Sequence, residues 1–152
     1  MDIKTNPGYL LHHLAFALDR QSDQLLQDRL DMGFSQFKIL MTLKWRDGMR
    51  QRKIAEALGQ TEASISRQIK LMVEMGLLKS RTSPKNRREH IITLTGKGER
   101  RAEKAMQVLN AYHAPMFERL SAAQQRNLTD SLNIMHAEVC RTGRAGACDH
   151  NN

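Results

Sequence analysis

Arg67 and Lys70 lie in a stretch, Thr61 to Lys70, whose other polar members are short or uncharged apart from Glu62. Placed on a helix, Ile65, Ile69, Met72 and Val73 fall within one quadrant and face a core. The opposite face then presents Ala63, Ser64, Ser66, Arg67 and Lys70, with Gln68 nearer the boundary. Such a face suits the edges of base pairs. A major groove about 12 Å wide admits one helix, short serine side chains allow close backbone approach, and an arginine such as Arg67 can grip guanine with two hydrogen bonds. Lys70 is better suited to phosphate. Thr61 and the free N–H groups of the first turn can anchor a backbone phosphate, and Arg50, Gln51 and Arg52, at the start of the preceding helix, are candidates for the same role. Further on, Lys85, Arg87 and Arg88 lie close together beside Pro84 and Asn86, which favour a tight turn. Adjacent arginines at a loop tip suit the negative potential of a narrow minor groove.

Either feature alone is often no more than a solvated surface. The distribution of charge separates the two readings. Met1–Leu43 holds 4 basic and 5 acidic residues, Lys44–Arg101 holds 15 and 6, and Ala102–Asn152 holds 5 of each. The net charges are −1, +9 and 0, so the middle of the chain accounts for the whole excess of +8. A chain made basic for solubility would spread that charge. Concentrated between two near-neutral arms, it is the electrostatic footprint of a nucleic-acid-binding module.

The elements that would position these residues follow from periodicity. Leu11, Leu14, Leu18 and Leu25 predict a long amphipathic helix from Gly8 to about Arg29. Ser35 is expected to cap a second helix carrying Phe37, Ile39, Leu40 and Leu43, closed by the turn Asp47-Gly48. Gln51 to Leu58 reads as a short helix ending at Gly59, and a helix capped by Thr61 runs to about Met75 and stops at Gly76. Leu77 to Arg81 and His90 to Leu94 are strand candidates, joined by the basic loop as a hairpin. Thr95 caps a further helix with Ala102, Ala105, Leu109, Tyr112 and Met116 on one side, which Pro115 is expected to kink near its end. Ser121 and Gln124 form a capping box that opens a final helix. The order is a helical arm, a helix-turn-helix, a hairpin and a second helical arm: a mainly α fold with a small β wing.

Five segments sharpen this reading: Lys53-Ile54-Ala55-Glu56-Ala57-Leu58-Gly59, Ser64-Ile65-Ser66-Arg67, Met75-Gly76-Leu77-Leu78, Ser83-Pro84-Lys85-Asn86-Arg87-Arg88 and Leu94-Thr95-Gly96-Lys97-Gly98. Together they resemble the winged-helix core of the multiple antibiotic resistance regulator (MarR) family. The similarity covers about Phe34 to Arg101 by motif, and the flanking helices agree in order and length. The resemblance implies a transcriptional regulator acting as a homodimer, with interlocked terminal helices and two winged helices astride a pseudo-palindromic operator in double-stranded DNA. It places Ser64, Ser66, Arg67, Gln68 and Lys70 on the recognition helix, and Arg87 and Arg88 on the wing. It also implies a small-molecule effector, often an aromatic acid or phenol, bound between the dimer helices and the winged helix, where His12, His13, Arg20 and Trp45 are candidates. The family wing usually reads Asp-Arg-Arg. Here the first position is Asn86, which opens the question of how Arg87 is held.

The resulting division is residues 1–34 and 102–140 for dimerisation, 35–101 for DNA, and 141–152 as a flexible tail. Leu11, Leu14 and Leu18, with Leu128, Leu132, Met135 and Val139, follow coiled-coil spacing and are the candidate dimer contacts. Recognition helices about one turn of DNA (~34 Å) apart would then match a symmetric operator.

Other chemistry is sparse. Cys140 and Cys148 flank a glycine-containing segment that could close on oxidation, so a redox-responsive regulator is the alternative reading. His136 and Cys140 share a helix face, yet a metal site needs further ligands that do not converge in sequence. Gly96-Lys97 lacks phosphate-loop spacing, and neither a His-Glu-x-x-His nor a Gly-x-Ser-x-Gly motif occurs, so neither catalysis nor a cofactor is expected. A winged helix serving non-specific DNA binding or protein contact remains a further alternative. No run of about 18 apolar residues is present to span a bilayer, and charges and histidines interrupt the N-terminal apolar run, arguing against a secretory signal. A cytoplasmic location is therefore expected, and the family resemblance implies a bacterial or archaeal one.

Overall fold

A computed structural model describes residues 5–141. The order is α1 (Pro7–Leu30), α2 (Phe34–Leu43), β1 (Met49–Arg50), α3 (Gln51–Leu58), α4 (Glu62–Glu74), β2 (Leu78–Thr82), β3 (His90–Leu94), α5 (Gly96–Glu118) and α6 (Ala122–Arg141). The strands form one antiparallel sheet in the order β1-β3-β2. Among the described residues no helix is long and apolar enough to cross a membrane.

All six expected helices form, and several have identifiable caps. Asn6 Oδ1 accepts the Tyr9 N–H at 2.9 Å, and Pro7 takes the first helical position of α1, where its missing N–H costs nothing. Helix α4 ends in a Schellman motif: the Gly76 N–H donates to Val73 O and the Leu77 N–H to Met72 O, each at 2.9 Å. Gly76 has φ +73°, a conformation in which a Cβ would be strained. The capping box before α6 is reciprocal, with the Ser121 N–H donating to Gln124 Oε1 (2.8 Å) and the Gln124 N–H to Ser121 Oγ (3.2 Å).

Three details, in α2, β2 and the sheet, differ from the sequence expectations. Ser35 does not cap α2. Gly33 does, with its N–H donated to Gln36 Oε1 at 3.2 Å, while Ser35 Oγ accepts a bond from Gln60 at the α3–α4 turn. Strand β2 is shifted by one residue, because Leu77 is taken up by the end of α4. The hairpin gains a third strand through the pairs Met49↔Ile92 and Arg50↔Ile91, an element too short for alternation to signal. Helix α5 runs through Pro115 as far as Glu118. The anticipated tail, 141–152, lies outside the described residues except for Arg141.

Helix α2 is the centre of the core. Its Ile39, Leu40 and Leu43 are buried together with Leu26 of α1, Ile54 of α3, Ile65 and Met72 of α4, Ile92 of β3, and Ala102 and Ala105 of α5. The α2–β1 turn carries Trp45, which has φ +71° and is 90% exposed. One junction fixes α5 to the winged helix. Thr95 Oγ accepts the Gly98 N–H at 3.0 Å, and its own hydrogen lies between Gly76 O and Leu77 O. Lys97 Nζ donates to Met75 O at 2.7 Å, and Arg101 to Leu30 O at 2.6 Å. Gly98 is buried, and a Cβ there would run into the Leu77 carbonyl. Gly98→Ala is expected to destabilise the fold by about 2–3 kcal/mol through overpacking, and to lower the melting temperature by roughly 5–10 °C at this chain length. Thermal denaturation followed by circular dichroism measures the effect.

Candidate nucleic-acid interface

Helix α4 begins where Thr61 Oγ accepts the Ser64 N–H at 3.2 Å, satisfying one of the free donors of its first turn. Ile65, Ile69 and Met72 are buried and Val73 half-buried, so the predicted inner quadrant is the real one. Ala63, Ser66, Arg67 and Lys70 are exposed on the other side with Thr61, and Ser64 is half-buried. Gln68 sits at the expected boundary, half-buried, with its Oε1 turned inward and without a hydrogen-bond partner. Arg67 and Lys70 have no ion-pair partner among the described residues.

The wing is built by backbone hydrogen bonds around a buried serine. The Ser83 N–H donates to Glu89 O at 2.8 Å and the Glu89 N–H to Asn86 O at 3.0 Å, closing the loop. Asn86 Oδ1 accepts the Arg88 N–H at 3.0 Å, and Ser83 Oγ the Lys85 N–H at 3.3 Å. Lys85, Asn86, Arg87 and Arg88 are all exposed. Asn86 therefore shapes the turn by accepting a backbone N–H, a role an aspartate carboxylate performs equally well.

Arg50 and Arg52, the candidate phosphate contacts at the start of α3, are both ion-paired. Arg50 Nε meets Glu89 Oε2 at 3.1 Å, tying the entry of α3 to the base of the wing. Arg52 Nε and Lys53 Nζ meet the two oxygens of Glu56 at 3.1 and 3.0 Å. The Lys53 hydrogen bond, then that of Arg52, holds the Glu56 carboxyl below its ordinary value. Gln51 is half-buried between them. The Arg52–Glu56 pair could have been read from its i,i+4 spacing. The Arg50–Glu89 pair depends on strand pairing and carries no local signal.

The stripes on the arms are exposed. Leu11 (39%), Leu14 (49%), Leu128 (40%), Leu132 (40%), Met135 (47%) and Val139 (58%) all face solvent, with Leu18 half-buried. Every α6 side chain described is exposed, so these stripes are not absorbed by the chain's own core. His12, His13 and Arg20 lie on α1 among exposed aromatics, His13 stacked on Tyr9 and Arg20 over the Phe16 ring. Trp45 is on a separate turn beside Lys44. Among the described residues, no group of three His, Cys, Asp or Glu is placed to hold a metal ion. Cys148 and the Cys140 side chain lie outside what is described.

Residues 34–90 match the MarR family, and the match takes in α2, the helix-turn-helix and the wing. The winged helix of this chain is thus similar to that of the MarR family. The HTH-type transcriptional regulator BilQ of Clostridium symbiosum is 27% identical over 105 residues, spanning 69% of this chain and 72% of that protein. Wild-type MarR from E. coli in its apo form superposes with a TM-score of 0.78 at 21% identity, covering 86% of this chain and 96% of that one. CouR from Rhodococcus jostii, solved bound to p-coumaroyl-CoA, gives 0.74 at 19% identity, with coverage of 89% and 94%. The likeness extends to both helical arms, so the chain has the fold of these solved regulators.

Asn86→Ala removes the acceptor for the Arg88 N–H. Global stability is expected to change by no more than about 0.5 kcal/mol, as at other surface sites, while the Arg88 amide exchanges faster with solvent. Asn86→Asp is expected to retain the slow exchange. Hydrogen-exchange mass spectrometry of wing peptides tests both.

Proposed function

We propose that this chain is a homodimeric, sequence-specific regulator of transcription that reads duplex DNA through α4 and the wing. One observation carries the reading: the unpaired, small-residue face of α4, with Arg67 and Lys70, stands in the same fold as an exposed wing bearing Lys85, Arg87 and Arg88. In this reading Arg67 contacts a base edge, with Ala63, Ser64 and Ser66 permitting close approach. Lys70 and the wing cations engage phosphate and the minor groove. Gln68 joins them only after a rotamer change. E. coli MarR has a solved cysteine-to-serine variant in complex with operator DNA, whose fold this chain shares, which supports duplex DNA as the partner; a homodimer would read a pseudo-palindromic operator.

Residues 1–34 and 102–140 serve as the dimerisation arms. Exposed apolar stripes of this extent mark an interaction surface, and a second copy of the same helices supplies matching stripes. The regulator acts as a repressor in the cytoplasm, released by a small aromatic or phenolic ligand. The p-coumaroyl-CoA in the CouR structure is consistent with that ligand class. Release requires only that the ligand favour a dimer geometry in which the two α4 helices no longer match the half-site spacing.

Fluorescence anisotropy on duplexes from the chain's own upstream region, with excess random competitor and a salt series, tests the reading. Competitor-resistant binding by two subunits per site is expected, and binding abolished by competitor refutes sequence-specific regulation. Arg67→Ala is expected to cost about 1–3 kcal/mol and relax preference at one base position. Arg87→Ala is expected to weaken all duplexes alike and reduce the salt slope by about 1 per subunit. Leu132→Asp combined with Met135→Asp is expected to yield monomers by sedimentation velocity. A dimer of unchanged stability would remove α6 from the interface.

A further inference from the structure

The cations on this face fall into two groups, paired and unpaired. Arg67 and Lys70 on α4 have no ion-pair partner among the described residues, whereas Arg50, Arg52 and Lys53 are each held by a carboxylate at 3.0–3.1 Å. The carboxylates, Glu89 and Glu56, line one groove of about 460 Å³ between α3 and the wing, together with these three cations and Arg88. A carboxylate and a phosphate oxygen present the same acceptor to a guanidinium or ammonium group. The paired cations are those at the start of α3, where a helix-turn-helix places contacts to the DNA backbone.

We propose that Glu56 and Glu89 are internal competitors of DNA phosphate, a brake on the sequence-independent part of duplex binding. The inference rests on the DNA-binding reading above. In the free protein the two carboxylates neutralise cations that would otherwise be available to any duplex. When DNA takes those cations, the freed carboxylates gather counterions from solution. That uptake offsets the counterions released from the phosphates, so the paired cations contribute little to the salt dependence. The low-lying Glu56 carboxyl keeps its pair ionised at neutral pH. Arg67, which has no such partner, is exempt. The brake therefore acts on phosphate contacts common to every sequence and leaves base reading untouched.

The test is a salt series of anisotropy titrations with the full chain, on an operator duplex and on a random duplex of equal length. The double variant E56Q/E89Q is compared with wild type and with E118Q, which removes one acid outside the groove. E56Q/E89Q is expected to bind both duplexes about three- to tenfold more tightly, given the modest worth of exposed ion pairs. Its slope of log affinity against log salt is expected to steepen by about 1–3 per subunit, at roughly 0.9 per phosphate newly neutralised without compensation. The ratio of operator to random affinity is expected to stay the same. Unchanged affinity and slope overturn the proposal, as does weaker binding, which would make the two pairs structural ties that position the wing. An equal gain from E118Q also overturns it, because net charge alone would then explain the effect. Melting temperatures of all variants check that the fold is intact. If wild type shows no salt-dependent duplex binding, the underlying DNA-binding reading fails. If wild type binds and only the double variant departs from expectation, the brake alone fails.

Discussion

The close approach of Gly98 to the Leu77 carbonyl governs how the parts of this molecule are joined. With no Cβ at Gly98, the first turn of α5 settles directly onto the end of α4 and the start of β2. Thr95 and Lys97 then bind the carbonyls that α4 leaves open at its C-terminus, Met75 O, Gly76 O and Leu77 O. One turn further on, Arg101 does the same for Leu30 at the end of α1. Two helix C-termini, each with partial negative charge, are thus held by cations on a single helix. Helix α4 and the arm helix α1 are both fastened to α5, which continues into the other arm. Movement of the arms therefore has a direct mechanical route to the orientation of α4.

The core and the arms obey different rules. Within the winged helix, apolar periodicity and burial coincide, as in Ile65, Ile69 and Met72 packed against α2 and α3. On α1 the two separate. Its C-terminal half buries Ser22, Leu26 and Leu30, while the N-terminal half exposes Tyr9, Leu10, Leu11, Leu14 and Phe16. Helix α6 exposes Leu128, Leu132, Ile134, Met135 and Val139.

How far the sequence reveals this arrangement depends on the range of the interaction involved. Caps and stops are local, so Thr61, Gly59, Gly76, Thr95 and Ser121 mark their elements directly, and the inner face of α4 follows from 3.6-residue periodicity. Ser35 misleads because the neighbouring Gly33 adopts the extended cap conformation, and the serine hydroxyl is used across 25 residues by Gln60. Strand β1 escapes notice because two residues show no alternation. At the interface, residue types and exposed faces are legible for Arg67, Lys70 and the wing. The pairing of Arg50 with Glu89 is not, since it depends on the β1–β3 register, and the inward turn of Gln68 follows from packing that composition does not encode.

Trp45 is the single tryptophan of the chain, and its exposed setting has a spectroscopic corollary. An indole already bathed in water has little further solvent to gain when the core comes apart. Its emission is therefore a poor gauge of global unfolding and a good one of whatever approaches the turn between α2 and β1. The protein carries a built-in optical reporter on its α2–β1 turn, spectrally distinct from its tyrosines and needing no label.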